Sequence, residues 1–158
     1  QFRDLEGNTK GTYKRYHESG LVSGKKIARA GLFYKNYFGA PLNNTFRASV
    51  LDKVHGFDTD FTYILDYNFF MDIACLGDVY IIHEPLNYFR LRNDSNTGKV
   101  LTTEKQAYVN EHKMLLDKHK DILNITTFQY SYSVAMRKLL NFGSAIYLKL
   151  FIGNKNGK

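Results

Sequence analysis

Apolar side chains are most concentrated in one short segment near the middle of the chain. Between residues 66 and 76, aromatic and aliphatic residues occupy nearly every side of a helical projection, and Gly77 follows directly. A helix that is apolar all round is buried on most of its faces. The pattern therefore predicts a buried helix from Asp66 to Leu76, with a carboxylate at its N-terminus.

Shorter elements are predicted on both sides of this helix. Residues 23–32 have the pattern of a short helix with Ser23 as its N-cap. The β-branched and aromatic residues 79–82 predict a buried strand, and the alternation in residues 86–91 predicts a second one. A small helix is expected over residues 49–54.

The last third of the chain is predicted to be helical. Residues 101–123 are amphipathic, and residues 126–152 predict a further helix or a helix pair broken near Gly143. His112 and His119 lie seven residues apart without the spacing of metal ligands, so we expect both at the surface. Together these patterns predict a helix-rich α/β fold with a few short mixed strands and C-terminal helices.

Composition limits the class of protein. The chain has 158 residues, of which 44% are hydrophobic and 15% aromatic, which suits one folded domain with a core. We expect neither a membrane span nor a signal peptide, because no long uncharged apolar run occurs. The single cysteine, Cys75, excludes a disulfide framework and a cysteine metal site, which fits a reducing cytoplasm.

The net charge of +7 is unevenly distributed along the chain. Residues 1–53 are basic, whereas residues 54–99 carry seven acidic and three basic side chains. The basic ends could contact phosphate groups. The acidic middle argues against one continuous nucleic-acid surface, and a solvated basic face without a partner is the alternative.

Basic and apolar residues also share the C-terminal segment. Residues 122–158 carry five basic and no acidic side chains, with aliphatic and aromatic residues between them. An apolar face bordered by Lys and Arg can lie in an anionic membrane interface. The alternative is that these residues pack onto the domain as its last helix. We therefore expect a cytoplasmic protein, with peripheral contact to the inner face of the membrane as an open option.

Three motifs follow one another in the middle of the chain. They are Gly56-Phe57-Asp58, Leu65-Asp66-Tyr67 and Phe89-Arg90-Leu91-Arg92-Asn93-Asp94-Ser95. Over residues 39–97 this order resembles the second half of the catalytic domain of inverting family 2 glycosyltransferases, which have the GT-A fold. Members of that family commonly have Glu-Asp where this chain has Leu65-Asp66, and His where it has Arg92.

The resemblance implies a division of the chain and a reaction. Residues 1–99 would be the C-terminal half of a GT-A catalytic domain, and residues 100–158 a helical extension packed on it. The enzyme would transfer a sugar from a nucleotide-sugar donor to a saccharide or lipid-linked acceptor in bacterial cell-envelope polysaccharide biosynthesis, with no nucleic-acid partner. The half that binds the nucleotide and a divalent metal, Mg²⁺ or Mn²⁺, is absent from these residues. We therefore expect no metal site here and an inactive fragment.

Asp66 is the candidate catalytic residue. The resemblance implies that its carboxylate is the general base, which takes a proton from the acceptor hydroxyl. A position at a helix N-terminus would fix its direction, and the helix field would favour its ionised form. The residues alone favour the simpler alternative of an N-cap.

The first motif is interpreted as structural. Gly56 would close a helix, Phe57 would fill the core and Asp58 would accept a turn hydrogen bond. Asp58-Thr59-Asp60 has the letters of a metal-binding Asp-x-Asp, but it follows a turn and not a hydrophobic strand. We therefore reject it as a metal site.

Arg90 and Arg92 are the candidate contacts to the leaving diphosphate. The guanidinium fork matches phosphate oxygens in a bidentate way, and two solvated arginines on an edge strand are the alternative. Ser95, Asn43 and Asn44 are further candidates for substrate binding, although asparagines also form turns. The alternative function is a non-catalytic basic domain that binds nucleic acid or an anionic surface.

Overall fold

The computed structural model of the chain describes residues 1–3, 6–12, 15–90 and 104–151. Within these residues the fold is mixed α/β, with four helices and two small sheets. The helices are α1 (Gly24–Phe33), α2 (Leu65–Ala74), α3 (Lys105–His119) and α4 (Thr127–Phe151). The strands are β1 (Phe2–Arg3), β2 (Thr9–Gly11), β3 (Gly20–Ser23), β4 (Asp78–Ile81) and β5 (Phe89–Arg90).

The two sheets differ in composition and pairing. The three-stranded sheet has the order β2-β1-β5, in which β1 pairs antiparallel with β2 and parallel with β5. In the second sheet, β3 and β4 are antiparallel, with Leu21 opposite Tyr80. Both strands of this second sheet contact α1. Because β3 lies in a polar, glycine-rich stretch, the sequence analysis did not find it.

The prediction of a central buried helix is confirmed. α2 begins one residue before Asp66 and ends at Ala74, and most of its side chains are buried. The core cluster combines α2 with α1 and α3. Its most buried members are Ala28, Leu32, Phe69, Met71, Ala74, Leu115 and Leu116.

A glycine allows α1 to approach the end of α2 closely. The backbone N–H of Gly24 donates to the carbonyl oxygen of Gly77 at 3.1 Å. A Cβ atom at position 24 would overlap the carbonyl oxygens of Ala74 and Gly77. Only glycine fits at position 24, where α1 begins. The N-cap residue of α1 is Ser23, as predicted, but its side chain makes no capping hydrogen bond.

Several predicted elements are shorter or more exposed than expected. The strand predicted at residues 79–82 exists, but Tyr80 and Ile82 are exposed, because a two-stranded sheet covers only one of its faces with α1. The small helix predicted at residues 49–54 is reduced to one 3₁₀ turn, Ala48–Val50, which is followed by further turns.

The strand predicted at residues 86–91 is reduced to β5 within the described residues. The residues just before β5 make hydrogen bonds outside any strand ladder. The N–H of Leu86 donates to the carbonyl oxygen of Glu84, and the side chain of Asn87 donates to the carbonyl oxygen of Leu42. These bonds fix a turn where a ladder would otherwise continue.

Residues 127–151 form one continuous helix. α4 passes through residue 143, so the predicted break near Gly143 is wrong. A single glycine costs a helix about 1 kcal/mol relative to alanine, which favourable neighbours can offset. None of the helices in the described part of the chain combines the length and the apolar character needed to cross a membrane.

The prediction that His112 and His119 lie at the surface is also wrong, since each is only 2% exposed. Nε2 of His112 lies 2.9 Å from Oγ of Ser133, whose hydroxyl donates to the carbonyl oxygen of Leu32. A hydroxyl has one hydrogen, so Nε2 must be the donor to Ser133. The chain of bonds joins α3, α4 and α1 through polar groups inside the molecule.

Burial makes the charged form of His112 unfavourable. Desolvation, assisted by the nearby charge of Arg137, lowers the pKa of His112 from 6.5 to about 3. Between these two values the unfolded chain binds a proton that the folded chain does not. Stability is therefore fully present above pH 6.5 and decreases as the pH falls toward 3.

We predict that His112→Gln weakens this pH dependence. The wild-type free energy of unfolding should fall by about 1.4 kcal/mol per pH unit below 6.5 because of this group. Urea unfolding at several pH values between 7 and 4 measures the slope. His17→Gln, at an exposed position, is the matched control and should keep the wild-type slope. Equal slopes for His112→Gln and wild type would contradict the assignment.

Candidate functional site

Asp66 lies in the first turn of α2 but does not cap the helix. The N-cap position is occupied by Ile64, and no side chain makes a capping hydrogen bond there. Oδ1 of Asp66 accepts the backbone N–H of Tyr67 at 2.8 Å. The N-cap interpretation is therefore wrong, because Asp66 is the second helical residue and its carboxylate accepts N–H groups of the adjacent backbone.

The surroundings of Asp66 favour its protonated form. Burial raises the pKa of Asp66 above its ordinary value, and the hydrogen bond from the Tyr67 backbone offsets only part of this effect. Among the described residues no cation forms an ion pair with this carboxylate. The expected influence of the helix N-terminus is therefore outweighed by desolvation. The result is a half-buried carboxylate with increased proton affinity.

A second carboxylate holds the segment that leads to Asp66. Glu111, on α3, is only 7% exposed. Its Oε1 accepts the backbone N–H of Thr62 at 3.0 Å, and its Oε2 accepts those of Tyr63 at 2.9 Å and Ile64 at 3.0 Å. Three donors next to the start of α2 are thus satisfied by one side chain, which takes the role of a cap from a distant part of the sequence.

Near its C-terminal end, α2 is also bonded to α3, through the side chain of Asp72. Asp72 contacts Nζ of Lys118 at 2.9 Å and Nε2 of His119 at 3.0 Å. Burial raises the pKa of Asp72, but the hydrogen bonds from His119 and Lys118 outweigh it and hold this pKa below its ordinary value. Burial lowers the pKa of Lys118, and its bonds to Asp72 and Asp58 reverse that shift and raise it.

The first motif is a turn that packs against α2. Gly56 has a φ of 77°, a conformation that favours glycine. The ring of Phe57 lies 4.5 Å from that of Phe69, yet Phe57 is 55% exposed, so it covers the core and does not fill it. Asp58 accepts the backbone N–H of Asp60 at 3.2 Å, which confirms the predicted turn hydrogen bond. It also forms an ion pair with Lys118.

The predicted arginine site is described only in part. The backbone of Arg90 pairs with Arg3 where β5 joins β1. Arg92 and Ser95 lie outside the described residues. The expected contact of these arginines with a leaving diphosphate stays a prediction.

The two candidate asparagines have different surroundings. Asn44 is half-buried, and its Nδ2 donates to the carbonyl oxygens of Phe38 at 3.1 Å and Ala40 at 3.2 Å. Asn43 is exposed at the end of a 3₁₀ turn. The Asn87 bond to Leu42 brings this loop next to the segment before β5. The structure thus joins two of the predicted regions, and Asn44 has the turn-forming role that was the alternative.

Metal ligands do not converge in the described residues. No group of three or more His, Cys, Asp and Glu side chains is arranged there to hold a metal ion. Cys75 is buried, and burial raises the pKa of its thiol to about 11. The described side chains therefore do not form a set of ligands for a divalent metal.

Two buried polar residues were missed by the sequence analysis. Glu111 could have been found as an acid on the apolar face of an amphipathic helix, which is a rare position for a side chain without a partner. Asn68 is fully buried in α2, and its side-chain amide has no hydrogen-bond partner among the described residues. Because the residues on both sides of Asn68 in the sequence, Tyr67 and Phe69, are also buried, the sequence pattern did not single it out.

We predict that Glu111→Gln destabilises the protein by about 2 kcal/mol, because hydrogen bonds to a charged acceptor are worth about 1.5–3 kcal/mol each. The amide keeps one acceptor oxygen and points an N–H group at a backbone N–H. Urea unfolding measures the loss, and Asp121→Asn, at an exposed position, is the charge-matched control. An unfolding midpoint shared by wild type and Glu111→Gln would show that the carboxylate does not hold this segment.

Comparison with known proteins adds no assignment. The chain matches no protein-family model, no curated protein and no solved structure.

Proposed function

We propose that the chain is the acceptor-side half of an inverting glycosyltransferase with a GT-A-like fold, in which Asp66 is the general base. The observation that supports this most is the state of the Asp66 carboxylate. It is half-buried, has a raised pKa and is not paired with a cation among the described residues. Asp72, on the same helix, is instead bonded to the side chains of Lys118 and His119, whereas the described hydrogen bonds of Asp66 come from the adjacent backbone.

The proposed step is a single displacement. The acceptor hydroxyl gives its proton to a carboxylate oxygen of Asp66 while its oxygen attacks the anomeric carbon of the donor. The bond from that carbon to the diphosphate breaks, and the electron pair leaves with the diphosphate. A raised pKa makes Asp66 a stronger base than a free aspartate, which favours this proton transfer.

The precision of this step depends on the position of α2. Glu111 fixes the residues before Asp66, and the bonds of Asp72 fix the far end of the same helix. A rigid helix presents its first-turn carboxylate in one direction, which lowers the entropic cost of reaching the transition state. Of the two oxygens, Oδ1 accepts the Tyr67 N–H, and Oδ2 would be the one that meets the acceptor.

The remaining candidates take supporting roles in the proposal. Arg90 and Arg92 stabilise the negative charge that develops on the leaving diphosphate. Asn43 and Ser95 contact the saccharide or lipid-linked acceptor, and Asn44 shapes the loop that carries Asn43. The nucleotide and the divalent metal, Mg²⁺ or Mn²⁺, would be bound by the other half of a complete GT-A domain.

We predict that these 158 residues alone bind nucleotide sugars very weakly. In the proposed alignment, the groups that bind the nucleotide and the divalent metal lie outside these residues. Calorimetry with uridine and guanosine diphosphate sugars in the presence of Mn²⁺ measures the affinity. Binding in the micromolar range would place the donor site within this chain and contradict the alignment.

We predict that Asp66→Asn abolishes transfer in a chain that also carries the donor-binding half. Loss of a general base costs on the order of a hundredfold to ten-thousandfold in rate. Because the amide has nearly the same shape, donor affinity and the unfolding midpoint should stay close to wild type. Asp60→Asn, an exposed position in the preceding turn, is the control and should keep full activity.

The rate of this variant also separates the two functions. A rate for Asp66→Asn within a fewfold of wild type would exclude Asp66 as the base. Absence of any transfer across donors and acceptors by the wild-type chain that also carries the donor-binding half would favour the alternative of a non-catalytic basic domain.

A further inference from the structure

An open groove lies between α1 and the start of α4, away from the motifs that carry the proposed chemistry. Its volume is about 390 Å³. Its floor and walls combine two basic side chains with four aromatic ones. These residues are Lys26, Arg29, Phe33, Tyr34, Phe128 and Tyr132.

The groove is positively charged. No acidic residue is among the side chains that line it in the described part of the chain. Arg29 is held in place by neutral acceptors, namely the carbonyl oxygens of Leu123 and Asn124 and, at 2.8 Å, Oε1 of Gln129. These bonds orient the guanidinium without neutralising it, so its charge acts on whatever occupies the groove.

Beside the groove, α4 exposes an apolar stripe. Phe128 is 79% exposed, Tyr132 is 43% exposed and Leu139 is 61% exposed. Positions 128, 132 and 139 lie on one side of a helix. Phe128 and Tyr132 are one turn apart and Leu139 lies two turns further along the same side, so this side of α4 offers apolar groups to a partner at several points.

We propose that this groove and stripe dock the protein on the surface of an anionic lipid bilayer. Phe128 and Leu139 enter the boundary between headgroups and acyl chains, where aliphatic as well as aromatic side chains are stabilised. Tyr34 and Tyr132 suit the interface because they combine an apolar ring with a hydroxyl. Lys26 and Arg29 attract the anionic headgroups.

Features of the surface favour a bilayer over a nucleic acid. Bases stack on aromatic rings but gain little from an exposed leucine at the end of the stripe. The charged residues of α4 are Arg137, Lys138 and Lys149, all of them basic, so no acidic residue of this helix would repel an anionic surface. The docking would explain why α4 exposes apolar side chains. It does not depend on the proposed glycosyl transfer.

Sedimentation of the full chain with lipid vesicles tests the proposal. We expect binding to phosphatidylcholine vesicles that contain about 30% phosphatidylglycerol, little binding to pure phosphatidylcholine, and release at about 0.5 M salt. Phe128→Ser and Leu139→Ser should each weaken binding about tenfold, as loss of one buried apolar side chain predicts. Lys26→Glu should weaken it on the order of fivefold to tenfold.

Matched controls lie on other surfaces. Leu21→Ser removes a side chain that is 68% exposed on the second sheet, and Lys53→Glu changes an exposed charge outside the groove. Both should bind vesicles as wild type does, and unfolding midpoints check that every variant is folded. The proposal is overturned if wild type stays in the supernatant, or if the controls lose as much binding as the groove variants. It is also overturned if a single-stranded oligonucleotide binds more tightly than vesicles and the groove variants weaken that binding instead.

Discussion

The interaction on which the rest of the site depends is the contact between Glu111 and three consecutive backbone N–H groups. Residues 62–64 have no secondary structure of their own, so their donors need a partner when they are covered. One buried carboxylate supplies it from α3. This contact determines where α2 begins and therefore where Asp66 lies.

The polar groups inside the molecule form links between helices and are not scattered. Glu111 joins α3 to the start of α2, Asp72 and His119 join the same two helices at the far end, and His112 and Ser133 join α3 to α4 and α1. Apolar packing alone would allow helices to slide or rotate, whereas directional bonds fix their register. The two aspartates on α2 differ in their partners, since Asp72 is bonded to the side chains of Lys118 and His119, whereas Asp66 accepts a backbone N–H and forms no ion pair among the described residues.

The candidate catalytic residues and the groove of the proposed docking surface have no residue in common in the described part of the chain. α1 connects them, because it packs on α2 through Gly24 and on α4 through Arg29. Lipid-linked acceptors would give such an arrangement a purpose, since an enzyme held at a bilayer meets them by diffusion in two dimensions. The rigid contacts of α1 would then set the distance of Asp66 from the membrane plane.

Elements with a local signal could be predicted without the structure. α2 was predicted because apolar residues occupy nearly every side of it, and the turn after Gly56 because Asp58 can accept a hydrogen bond there. Which polar residues are buried became clear only from the way the elements pack. Glu111 and His112 lie on a helix that looks amphipathic in isolation, and their burial depends on α4 and residues 62–64, which are distant in sequence. The pattern within one helix can show which face turns inward, but the partners of a polar side chain on that face come from other elements and depend on how these are assembled.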